Sequence, residues 1–112
     1  MNLQPWQAER RHYPRTYLGV PVRVHFTGQS RSITLELIDV SAAGACFRTS
    51  EKLPRVGQWV AFGFVLDDHR VCAAKGRVVR LQPDGFALSL ESTNSAFRSF
   101  VDDISGPFLW AA

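Results

Sequence analysis

The sequence predicts a mainly β fold, an antiparallel barrel or sandwich of short strands with one helix at the C-terminal end. Two observations predict it. Apolar and polar residues alternate in short stretches at spacings of roughly ten residues, each bounded by Gly, Pro, Asp or Ser. After the last of these stretches the apolar period lengthens from two residues to that of a helix. Strands so closely spaced leave no room for the crossover helices of a parallel sheet.

The first strand is expected at residues 20–26, "VPVRVHF", with Val20, Val22, Val24 and Phe26 on one face and Pro21, Arg23 and His25 on the other. "GQSRS" reads as a turn, and "ITLELI" (33–38) alternates again. "DVSAAG" breaks the pattern before "ACFRT". "PRVG" is a further turn, followed by the aromatic-rich "QWVAFGFVL", in which Trp59 is assigned to the core. "DDH" leads into "RVCAAKGRVVRL", where Gly76 marks an expected bulge or barrel corner. "QPDG" turns the chain into "FALSLES". In "TNSAFRSFVDDISG", Phe97, Phe100, Val101 and Ile104 share one helical face, with Thr93 or Asn94 as the cap and Gly106–Pro107 as the stop. That face is expected to pack on the barrel or close one end of it.

At 112 residues the chain fits one domain. It is divided into an N-terminal segment (1–19), the β-barrel (20–92) and the helix with its apolar tail (93–112). Its composition, 46% hydrophobic and 21% charged, is globular. No apolar run reaches the eighteen or so residues of a membrane span. Met1 to Arg11 carries charges and a proline where a secretory leader would place its apolar segment. Cys46 and Cys72 lie in apolar strands and read as buried free thiols. The expected location is the cytoplasm, without membrane insertion.

The formal charge is only +3, but residues 1–31 hold five arginines against Glu9 alone, whereas the rest holds eight basic and nine acidic residues. A local cationic patch on a near-neutral body suits a compact anionic ligand better than duplex DNA, which needs a broad basic face. The patch centres on "ERRHYPR". Pro14 pushes Tyr13 towards extended geometry, so the run is expected to form a loop ahead of the first strand. Arg11 and Arg15 can then stand up to about 13–14 Å apart, the span of a dinucleotide. An arginine fork binds phosphate bidentately, reads the O6/N7 edge of guanine and stacks on a purine. Taken alone, the run also reads as a solvated basic arm. The second candidate is "DVSAAG", Asp39 to Gly44. Asp39 can accept from the N1–H and N2–H₂ edge of guanine, and Ser41 can donate to phosphate or tie down the turn. Gly44 permits positive φ or close ligand approach. Turns between strands use such residues constantly, so this motif alone is weak.

Together, Arg-x-x-x-Arg in "RHYPR" and Asp-x-Ser-x-x-Gly in "DVSAAG", in that order and about thirty residues apart, resemble the PilZ domains, bacterial receptors for the second messenger cyclic di-GMP. The resemblance runs from about Arg10 to Ile104 and includes "GRVVR" (76–80). It implies a six-stranded antiparallel β-barrel with a C-terminal helix and an N-terminal arginine loop that wraps the ligand against the barrel. By that likeness Arg11 and Arg15 grip phosphates and guanines, Asp39 and Ser41 bond the ligand, and Gly44 leaves room for it. Arg10 implies an intercalated pair of ligand molecules. "FALS" departs from the family by placing Ser89 where glycine is usual, which puts contacts near the last strand in question.

The arginine loop is expected to be flexible until ligand orders it, and the output to pass to an unidentified partner protein. Two alternatives are an adaptor acting through protein contacts without nucleotide, and a single-stranded nucleic-acid-binding small barrel with Trp6, Tyr13 and Phe26 as stacking residues. Against the second, Asp39 would repel a phosphate backbone. No enzyme is expected: the histidines are scattered, Ser41 lacks a base, and no cofactor or metal ligand set is apparent.

Overall fold

The structure is a computed structural model that describes residues 16–50 and 52–111, with the side chains of 18–50 and 52–104. Six strands are followed by a helix: β1 (Thr16–Phe26), β2 (Ile33–Val40), β3 (Gly44–Arg48), β4 (Trp59–Val65), β5 (Val71–Gln82), β6 (Gly85–Thr93) and α1 (Ser95–Ala111). All pairings are antiparallel, and the ring closes in the order β1-β2-β3-β6-β5-β4. The barrel is thus two three-stranded meanders, β1–β2–β3 and β4–β5–β6, joined along two seams. One seam is β3 with β6, and the other is β1 with β4. The alternative of an open sandwich is excluded.

Alternation sends every second side chain inward. Val22, Val24, Leu35, Leu37, Phe47, Val60, Phe62, Val78, Phe86 and Leu88 fill the barrel. Phe47 is the centre of this core, stacked on Phe86 at 5.1 Å and meeting Phe62 edge-on at 4.9 Å. Phe97 of α1 meets Phe62 edge-on at 5.9 Å and Phe100 meets Phe64 at 5.1 Å, so the helix closes the end of the barrel where β4 finishes.

Gly76 does mark a bulge, between Lys75 and Gly76 in the β5–β6 ladder. A Cβ there would collide with the Ser89 carbonyl oxygen and the Leu90 backbone, so only glycine lets the two strands approach this closely. Asn94, not Thr93, is the helix cap: its Oδ1 accepts from the Phe97 amide at 2.9 Å.

Four expectations are corrected. β1 begins at Thr16, four residues before the alternation shows it, because a register shift between Tyr17 and Val20 and a left-handed Gly19 (φ 71°) disrupt the period-two pattern. Val20 is exposed, since β1 pairs with β4 only over Arg23–Phe26. Trp59 is half-buried on the outside of β4, its ring covered by Lys75 and Arg77 at 5.1 and 4.8 Å. The backbone of α1 continues through Gly106 and Pro107 to Ala111. Proline clashes with the Cβ of the residue before it, and Gly106 has none, so the helix loses one hydrogen bond there without ending.

Candidate functional site

The turn "DVSAAG" joins β2 to β3 at the barrel end nearer α1. Ser41, only 4% exposed, organises it. Its hydroxyl oxygen accepts from the amides of Gly44 at 3.1 Å and Ala43 at 3.3 Å, while its own amide donates to the Gly44 carbonyl at 2.9 Å. The Ala43 carbonyl accepts from the Leu90 amide at 2.9 Å, which ties the turn to β6. Of the two roles open to Ser41, the structure shows the one within the turn. Accepting both amides leaves the hydroxyl proton as the remaining donor. Gly44 is buried and is not among the glycines with positive φ (Gly19, Gly28 and Gly57); its place is in the ladder opposite Ser89.

Asp39 is half-buried near the end of β2, opposite Tyr17 of β1 and Cys46 of β3. Register shifts adjoin it on both sides, between Tyr17 and Val20 and between Leu37 and Asp39. Bulges re-aim side chains, and two of them flank this carboxylate. Ladder partners then continue across the barrel in one row: Asp39, Cys46, Ala87, Arg80. A parallel row runs Gly44, Ser89, Arg77.

The face therefore has small residues at its centre (Gly44, Cys46, Ala87 and Ser89), a carboxylate at one side and two guanidiniums at the other. Arg80 reaches back across the row, its Nη2 3.8 Å from Cys46 Sγ. Arg77 pairs with Glu91, Nε to Oε2 at 3.0 Å. Such a face can take a flat, polar ligand carrying both hydrogen-bond donors and negative charge.

Asp39, Ser41 and Gly44 are brought together. Arg10, Arg11 and Arg15 lie outside the described residues. Arg80 and Cys46 belong to the same face and were not singled out from the sequence. A register shift between Val78 and Arg80 sets the position of Arg80, and no local pattern announces it. Ser89 leaves the ladder intact, paired with Gly44 and Arg77, so the departure from the family pattern borders the site without breaking a strand.

Both cysteines are buried and outside any disulfide, and burial pushes the Cys72 thiol up from its ordinary pKa. Among the described residues no cluster of three metal-ligating side chains occurs, and no helix is long and apolar enough to cross a membrane.

A closed barrel filled by its own side chains, with polar and charged groups gathered on its outer wall, defines a small-barrel module whose candidate site is on its outer face. The model of the PilZ domain family matches residues 9–105, and the chain belongs to that family, a group of cyclic di-GMP receptor and adaptor domains. Among solved structures, the Bacillus subtilis inhibitor of motility (MotI/DgrA) is similar in fold, with a TM-score of 0.68 and 17% identity over 89% of this chain. The chain spans about half, 51%, of that protein's length. Comparison with curated proteins gives no match.

Proposed function

We propose that this domain is a cyclic di-GMP receptor whose ligand is held between Arg10, Arg11 and Arg15 and the outer face bearing Asp39, Ser41 and Gly44. The observation that carries this reading is the placement of a complete Asp-x-Ser-x-x-Gly turn in register with Arg80 on one face, in a chain with an intact Arg-x-x-x-Arg upstream. Cyclic di-GMP is chemically complementary to that face: its guanine N–H donors suit the Asp39 carboxylate, and its two phosphodiester charges suit the arginines. The Ser41 hydroxyl proton can serve a phosphate oxygen without releasing the turn. Arg10 supports an intercalated pair of ligands, and ordering of the arginine segment would give a partner protein its signal.

Calorimetric titration tests this. Cyclic di-GMP is expected to bind saturably, at two molecules per protomer, with GMP giving no heat. Each of Arg11→Ala, Arg15→Ala and Asp39→Ala removes charge-assisted bonds of about 1.5–3 kcal/mol, so binding should weaken roughly 10- to 150-fold. Amide exchange in residues 1–15 should slow on adding ligand. A null titration overturns the receptor reading in favour of an adaptor that works by protein contacts alone; saturation at one ligand per protomer overturns only the pair.

A further inference from the structure

A second surface lies further round the ring, centred on β4, and meets the candidate ligand face only along β5 and β6. There β1, β4 and β5, with the end of β6 and the helix cap Asn94, line a groove of about 410 Å³. Its geometry follows from two cross-strand rows, Arg23–Gly63–Ala73 and His25–Ala61–Lys75. Small residues at the middle positions make the floor: Ala61, Gly63 and Ala73. Taller residues make the rims, with Arg23 and His25 on one side and Lys75 on the other, and Arg23 and Lys75 bring positive charge. The recess is therefore built by side-chain size on a regular sheet.

The charge on the rims is uncompensated. Arg23 donates to the Ser32 hydroxyl at 2.8 Å, and Lys75 lies over the Trp59 ring. Among the described residues neither meets a carboxylate, whereas Arg48, Arg70 and Arg77 all do. His25 bonds the Gln29 carbonyl at 2.8 Å.

We propose that this groove is a docking surface for an acidic, partly apolar segment of a partner protein. The segment would set small aliphatic side chains on the Ala61–Gly63–Ala73 floor and carboxylates against Arg23 and Lys75. Three features favour a protein segment over other anionic partners. The polar side chains along the groove are exposed or half-buried, and a small-molecule site needs buried ones to fix orientation. A nucleic-acid strand needs open aromatic faces, and the neighbouring Trp59 is already covered by two cations. A recessed floor does not meet a flat bilayer. The proposal is independent of nucleotide binding, because no residue of the candidate ligand face lines the groove.

The test is amide chemical-shift mapping on the whole isotope-labelled chain without nucleotide, titrated with a synthetic peptide of repeated Glu-Ala-Leu. Shifts are expected at Ala61, Gly63, Ala73 and Lys75, and none with the matched Lys-Ala-Leu peptide. Arg23→Glu combined with Lys75→Glu should weaken binding at least tenfold with the melting temperature preserved. Ala61→Leu, which fills the floor and keeps the charge, should weaken it as well. Shifts centred elsewhere, equal binding by the variants, or preference for an oligothymidylate strand or phosphatidylglycerol vesicles over the glutamate peptide would each overturn the proposal.

Discussion

Ser41 shows how one side chain serves both a turn and a site. Its hydroxyl oxygen satisfies two amides of its own turn, and Gly44 is buried among them. Ser41→Ala leaves the Gly44 amide without that acceptor, which should cost about 1–3 kcal/mol in urea unfolding, whether or not ligand is present. The role was legible in the spacing from Ser41 to Gly44, because a hydroxyl three residues before an amide closes such a turn. Arg80 was not legible as a site residue, because its nearness to Cys46 depends on β5 meeting β6 and β6 meeting β3. Cys72 carries a prediction of its own. Burial raises its pKa above the ordinary 9.0, so at alkaline pH the native state keeps a proton that the unfolded chain releases. Stability from this group is intact below pH 9.0 and is lost as pH rises through the folded value. Alkaline melting curves should therefore flatten in Cys72→Ala, and Ellman's reagent should reach Cys72 only on unfolding.

At the level of elements, Asn94 joins helix to sheet. Besides capping α1, its Oδ1 accepts from the Ala73 amide at 3.2 Å, its Nδ2 donates to the Val71 carbonyl at 2.8 Å, and its own amide donates to the Ala73 carbonyl at 3.0 Å. Asn94→Ala removes the cap and both side-chain links to β5. Stability should fall by about 1–3 kcal/mol, and amide protection should drop first in α1 and at the start of β5. Start signals of this kind are short-range and were readable, as was the bulge at Gly76. Two other boundaries were not. The true start of β1 lies behind an irregularity at residues 17–20, where alternation fails although pairing continues. The end of α1 lies beyond a Gly-Pro pair whose first residue lacks the Cβ that the proline ring would otherwise strike.

For the whole molecule, patterning reveals strands but not their neighbours. Alternation identified the six segments and most of the core, whereas Trp59, sharing their composition, sits outside under Lys75 and Arg77. The choice between barrel and sandwich rests on which distant strands join, and no local pattern records that. Because one core fills the ring, its loss should be felt everywhere. Phe47 of the first meander touches Phe62 and Phe86 of the second, so Phe47→Ala should cost about 3–5 kcal/mol. The chain should still unfold in a single transition, with intrinsic fluorescence and circular dichroism giving coincident curves.

The two seams also have a consequence in time. Within each meander, strands meet across short turns, but the seams join residues 34 to 45 positions apart. Closing them is entropically expensive until the core rewards it, which places folding among the slower, β-barrel rates of milliseconds to seconds. A chain emerging from the ribosome can form β1–β2–β3 early, yet it cannot seal the ring until β6 has been made. During that interval β1 and β3 each present an unpaired edge, the form in which strands recruit other chains. Sealing the last seam ends that exposure, so the speed of closure governs how well the protein survives its own synthesis.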